Sequence, residues 1–144
     1  MTSTGINMKR QKYVDKYLLN FFMQCNSLKD LLEILGNVCS ILELKYLNKR
    51  TKHFQYFQFT FFGLMERVKT ILQYILFKAK SLKETYPDVN EIYPALLNLR
   101  RGVDEAGNLI KKKEMKRGQE KIIKVSQEYA KIFCEINKLI GKYT

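Results

Sequence analysis

The sequence predicts an all-α fold, an antiparallel bundle of four or five helices in a single domain spanning residues 1–144. Two observations predict it. Apolar residues recur at steps of three and four from one end of the chain to the other, the signature of helices with one buried face. The 144 residues are 46% hydrophobic and 28% charged, with only two prolines and seven glycines, enough for one ordinary core without disulfides or metals.

The elements follow in order. Residues 1–7 are expected outside the folded unit. Tyr13, Val14, Tyr17, Leu18, Phe21, Phe22 and Cys25 predict a first helix from about Met8 to Cys25. Ser27, with Asp30 three residues on, reads as an acidic variant of the capping box, so a second helix is expected to start there. Its stripe is Leu28, Leu31, Leu32, Leu35, Val38, Cys39, Leu42 and Tyr46, with Gly36 a tolerated weak point, and Asn48 to His53 reads as a polar turn.

The aromatic stretch "FQYFQFTFF" would suit a strand by propensity, but Phe54, Phe57, Phe61, Leu64, Val68, Ile71 and Ile75 keep helical spacing, which predicts a third helix to about Lys83. Tyr56 and Phe59 fall off that seam; a second packing face is the favoured reading and an exposed aromatic surface the other. Pro87 then breaks the chain, Asp88 and Glu91 offer a new capping signal, and a short fourth helix to Arg101 is expected, with Pro94 either kinking it or opening it. Ile122, Val125, Tyr129, Ile132, Ile136 and Leu139 define the last helix, with Gly141 as its stop. Its start is open between a point near Lys113 and an earlier one at Asp104 and Glu105, whose charges suit a helix N-terminus.

Cys25, Cys39 and Cys134 are odd in number, far apart and set in or beside apolar patterns, so all three read as reduced core thiols. Lys9, Arg10, Lys12, Asp15 and Lys16 interrupt any apolar leader, and no apolar run approaches the roughly 20 residues of a transmembrane helix. A cytoplasmic location, or a nuclear one in a eukaryote, is the expectation.

Enzyme chemistry finds no footing. One histidine and three scattered cysteines cannot supply a closed zinc site, and any Ser-His-Asp or Cys-His set would have to recruit His53 from a lysine-rich turn. Gly102 and Gly107 lack the strand-loop-helix setting and the Lys-Ser/Thr pair of a phosphate loop. No catalytic residue, metal or cofactor is expected. The stretch "RTKH" is similar to the Arg, four to six residues, His pattern of all-helical HEPN ribonucleases, but Arg50 stands only three positions before His53; a degenerate HEPN-like domain is the weakest of three readings.

Charge carries the remaining signal. Lysines and arginines number 26 against 14 acids, a formal +12, which points to nucleic acid, an anionic surface or an acidic protein as partner. Seven cations lie between Lys111 and Lys124 against two glutamates. The residues expected to contact a nucleic-acid backbone are Arg100, Arg101, Lys111, Lys112, Lys113, Lys116, Arg117, Lys121 and Lys124, with Lys49, Arg50 and Lys52 from the earlier turn. Glu120 with Lys124, Glu128 with Lys131 and Glu135 with Lys138 are expected to pair along the last helix, so that from residue 128 onward the cations read as a solvated face. The function expected is therefore a non-enzymatic subunit that binds RNA or DNA backbone within a larger assembly. The alternative is a protein-protein adaptor or homo-oligomer whose charge is compositional. If the fourth helix merely caps one end, the two basic turns should lie at opposite ends and charge should wrap the domain.

Overall fold

The computed structural model describes residues 15–42 and 52–143, the side chain of His53 excepted. Four helices follow one another: α1 Lys16–Leu42, α2 Lys52–Leu82, α3 Pro87–Lys111 and α4 Met115–Tyr143. Consecutive helices pack side by side and α4 closes back on α1, so the four form a square. Each neighbouring pair is antiparallel. Asn20 Nδ2 donates to Tyr74 Oη and Lys78 lies over Tyr17, so α1 and α2 run oppositely. Lys121 meets Glu105 while Lys142 meets Asp88, which does the same for α3 and α4. This is the up-down-up-down bundle that short connections favour.

α1 is one helix where the sequence predicts two. The Ser27 hydroxyl does not cap: it donates to the Met23 carbonyl at 3.1 Å, the back-bond of a serine inside a helix. The apolar phase explains the continuity, because Cys25, Leu28, Leu32 and Leu35 stay on one buried face with no break at Asn26 and Ser27. The true N-cap is Asp15, whose Oδ1 accepts from Tyr17 N at 2.9 Å. The predicted N-terminal turns over 8–14, the end of the second helix at Tyr46 and the turn at 48–51 lie outside the described residues.

α3 is not short. Pro87 occupies the first helical position, where its missing N–H costs nothing, and the helix runs 25 residues through Pro94 to Lys111. Gly102 and Gly107, which lie past the expected end at Arg101, are buried inside it. They mark close approach. A Cβ on Gly102 would sit 2.8 Å from Val125 Cγ2, and one on Gly118 of α4 would sit 2.6 Å from Ile110 Cγ1 and 3.2 Å from the Ala106 carbonyl. α4 starts at Met115, so Asp104 and Glu105 belong to α3, and it runs past Gly141 to Tyr143.

The core is built by Phe21, Leu28, Leu35, Phe61, Val68, Ile75, Leu96, Val103, Ile122 and Ile136 among others, all fully buried. Tyr129 is the largest of the buried side chains, and its hydroxyl donates to the Cys25 carbonyl at 2.7 Å, joining α4 to α1. Burial pushes the Cys25 thiol up to about 12, so it stays neutral and inert. Cys134, expected in the core, is exposed, because Phe133 takes the buried position beside it.

At the end where the chain begins, Asp15 Oδ2 accepts from the Tyr86 hydroxyl at 3.1 Å, and Asp88 Oδ2 accepts from Lys142 Nζ at 2.7 Å and Tyr143 Oη at 3.2 Å. The Tyr86 and Tyr143 rings meet edge to face at 5.0 Å. The Lys142 hydrogen bond holds the Asp88 carboxyl below its ordinary range.

Two expectations follow from this packing. Gly118→Ala and Gly102→Ala should each destabilise the bundle by about 1–3 kcal/mol in urea unfolding, whereas Gly36→Ala, whose Cβ would meet nothing nearer than Ser126 Oγ at 3.9 Å, should stabilise it by up to about 1 kcal/mol. Equal effects at all three would remove the close-approach account. Because the Asp88 value is lowered on folding, its contribution is fully present above about pH 4 and is lost as pH falls through the lowered value. The difference in thermal midpoint between wild type and Asp88→Asn should therefore shrink between pH 5 and pH 2.5; a constant difference would show that the charge is not involved.

Candidate nucleic-acid interface

The α3–α4 turn is three residues long and strongly basic. Lys113 N donates to the Ile110 carbonyl at 3.0 Å and Glu114 N to the Leu109 carbonyl at 2.9 Å. These are the paired bonds of a Schellman motif, which needs a left-handed residue between them. That residue is Lys113, with φ of 63°. Glycine is the residue this position favours, since any Cβ is crowded there at a cost on the order of 1 kcal/mol. Here a lysine holds it.

The turn lies at the end of the bundle opposite Asp15, Tyr86 and Tyr143. The antiparallel order places the end of α1 and the start of α2 at that same end, where Lys111, Lys112, Lys113, Lys116 and Arg117 cluster at the turn and Lys52 lies about ten residues further out along α2, about 15 Å from the level of the turn. The helix ends at Leu42 and Lys52, expected at the end opposite the turn near residue 105, share an end with the α3–α4 turn, because α3 is a full member of the bundle and not a cap. Lys49 and Arg50 lie outside the described residues.

The remaining predicted contacts divide. Among the described residues, no carboxylate comes within ion-pair distance of Lys52, Lys111, Lys112, Lys113, Lys116 or Lys124. Arg117 binds Glu114 at 3.0 Å, and Lys121 is half-buried and spans to Glu105 of α3 at 3.1 Å. Arg100 lies 3.9 Å from Asp104, and Arg101 donates to Asn98 Oδ1 at 3.5 Å. These four have internal partners that local sequence concealed for Lys121. Arg100 and Arg101 also stand ten residues back along α3, about 15 Å from the turn. Of the expected helix pairs on α4, Glu135 with Lys138 closes at 3.1 Å; Glu120 with Lys124 and Glu128 with Lys131 do not.

Sequence reasoning favoured packing for two residues that the structure exposes. Tyr56 is 66% and Phe59 80% exposed, and Phe62 beside them 42%. Their angular offset from the Phe61–Val68 seam was the available signal. Elsewhere, an open groove of about 390 Å³ between α1 and α4 is lined by Glu33, Gly36, Asn37, Ser40, Ile123, Ser126 and Gln127, with Glu33 its only ionisable group. Among the described residues no group of three or more His, Cys, Asp or Glu side chains could hold a metal, and no helix is long and apolar enough to cross a membrane.

No protein-family model matches the chain, and neither the curated proteins nor the solved structures contain a match. Fold and geometry together define a basic up-and-down four-helix bundle with a cluster of lysines lacking carboxylate partners among the described residues at its α3–α4 turn.

The left-handed lysine generates a direct expectation. Lys113→Gly should raise stability to urea by about 1 kcal/mol, since the turn keeps its two hydrogen bonds and loses its crowded Cβ. A loss of stability would show that the lysine side chain itself holds the turn.

Proposed function

We propose that the lysine-bearing end of the bundle binds the sugar-phosphate backbone of RNA or DNA, without catalysis, as an accessory subunit of a larger assembly. The observation that supports this reading is the cluster of Lys111, Lys112, Lys113 and Lys116 at the turn, with Lys52 further out at the same end, and no carboxylate among the described residues within ion-pair distance of any of them. Like charges brought together repel, so such a cluster is mildly unfavourable in the free protein and is relieved by a polyanion that releases its counterions on binding. Lysine at the left-handed turn position adds to this, because a more stable residue is available there and a cation stands in its place.

A protein-protein adaptor is the second reading, and a specific feature favours it at the far end. Tyr17 and Phe77, 59% and 70% exposed, border a pocket of about 250 Å³ with Asp15, Lys78, Ser81, Leu82 and Thr85. Aromatic exposure of that kind suits a protein partner or a second copy.

Salt dependence separates the two. Five phosphate contacts to a single strand imply a slope of about −3.5 in log affinity against log salt. Replacing Lys52, Lys111, Lys112, Lys113 and Lys116 with Gln should flatten that slope and weaken binding on all sequences alike. Replacing Lys131 and Lys138, which lie along α4 away from the turn, should do much less per charge. Equal loss per charge from both sets would reduce the cluster to a diffuse positive field, and no binding near physiological salt would leave the adaptor reading.

A further inference from the structure

Three aromatic side chains stand in water beside this cluster, and their placement is ordered. Stepping 100° per residue along α2, Phe61 at the centre of the buried face leaves Tyr56, Phe59 and Phe62 in a slanted row on the outward side, with the bare backbone of Gly63 just past its Phe62 end. They are not spare core residues. Phe61, Leu64, Met65 and Val68 already fill the interior at this level.

Cations lie at both ends of the row, and the one acid on its line, Glu66, four residues past Phe62, is paired with Lys69 at 3.6 Å. Lys52 precedes Tyr56 by four residues and so shares its face of the helix, and the exposed Arg67 follows Phe62 and Gly63 by about one turn. On α3, Gly107 lies against the ammonium of Lys69, which a Cβ there would meet at 3.1 Å. Counting outward along the antiparallel pair from that contact brings residues 62–65 level with 111–114, so the Phe62 end of the row faces the lysine turn.

We infer that Tyr56, Phe59 and Phe62 form a stacking platform for unpaired bases, so that this end of the bundle takes single-stranded nucleic acid in preference to duplex. The inference rests on the backbone-binding reading above and adds the class of strand. Aromatic faces interleaved with cations match a single strand, whose bases are free to stack while its phosphates meet lysine; in a duplex the bases are already stacked inside. Charge complementarity selects this occupant over a second copy, because two such ends facing each other would bring two lysine clusters together. An apolar protein partner would have to strip water from the same lysines without replacing it.

The test uses a 12-nucleotide single strand, an abasic strand of the same length and charge, and a duplex hairpin, each titrated by fluorescence anisotropy against the full chain. Tyr56→Ala, Phe59→Ala and Phe62→Ala combined should weaken the base-bearing strand by about tenfold or more while leaving the salt slope and the abasic strand unchanged, since each stacked base is worth about fivefold or more. The three sites are exposed and alanine favours helix, so the fold should survive; circular dichroism checks it. Phe59→Trp gives a chain that has no other tryptophan, and its emission should be quenched by the base-bearing strand and not by the abasic one.

Equal affinity for abasic and base-bearing strands, or wild-type binding by the triple variant, would overturn the platform while a steep salt slope left backbone binding standing. No binding of any strand would remove both readings. A dimer that Phe59→Ala dissociates, seen by light scattering without strand preference, would assign the row to a second copy and end the proposal.

Discussion

The close approach of α3 and α4 is the constraint on which the rest depends. Gly102 and Gly118 let the two helices come together until Val125 and Ile110 press on bare backbone. Helices held that near can be joined by a connection of only three residues, and a connection so short needs a left-handed residue to reverse the chain. The lysines of 111–113 are thus thrown to the tip of the hairpin because the glycines fix where the hairpin closes. A bulkier pair of residues would widen the gap, lengthen the turn and scatter the charge.

Parity does the rest. In a square of four antiparallel helices the end of α1 and the start of α2 share an end with the α3–α4 turn, so Lys52 and the lysines of the turn fall on one end without any long-range ion pair to draw them there. The second connection and the two chain ends share the opposite end, where Asp15, Asp88, Lys142, Tyr86 and Tyr143 neutralise and cover one another. Cations and acids come close to balance at that end, Lys16, Lys78, Lys80, Lys83 and Lys142 standing against Asp15, Glu84, Asp88 and Glu91, whereas lysine is in clear excess around the α3–α4 turn. That asymmetry supports the functional proposal more than the total charge does, because a compositional excess of lysine has no reason to respect it.

The fold class was legible because periodicity reports burial directly, and the α2 and α4 seams are buried or half-buried as their spacing predicts. What misled were residues that act in two ways. Ser27 satisfies a capping pattern, but a serine can return its hydroxyl to its own helix, and the uninterrupted phase from Cys25 to Leu28 was the better guide. The expected end of α3 at Arg101 fails because Gly102 and Gly107 continue the helix and lie against Val125 and Lys69, and such packing depends on partner helices that local sequence cannot reveal. The same limit applied to the site. Lys111, Lys112, Lys113 and Lys116 were readable as a run, while the Glu105 partner of Lys121 and the placement of Lys52 on the same end as the turn depend on topology. The aromatics of α2 failed for want of a count: a helix apolar around much of its girth does not declare which rings the core has room for.

The closing of the square has a consequence for the order of assembly. Three of the four interfaces join neighbours in the chain and can form as hairpins, but α1 meets α4 only across 94 and 104 residues, where Ser126 and Tyr129 reach the carbonyls of Leu32 and Cys25. During synthesis at about 5–20 residues per second, the face of α1 that carries those carbonyls waits roughly 5–20 s for its cover after α1 has been made. It is an apolar surface, bordered by Leu28 and Leu35, left bare while the rest of the chain emerges. The nascent protein is therefore exposed longest along α1, and a chaperone or an assembly partner that acts early would meet that helix first.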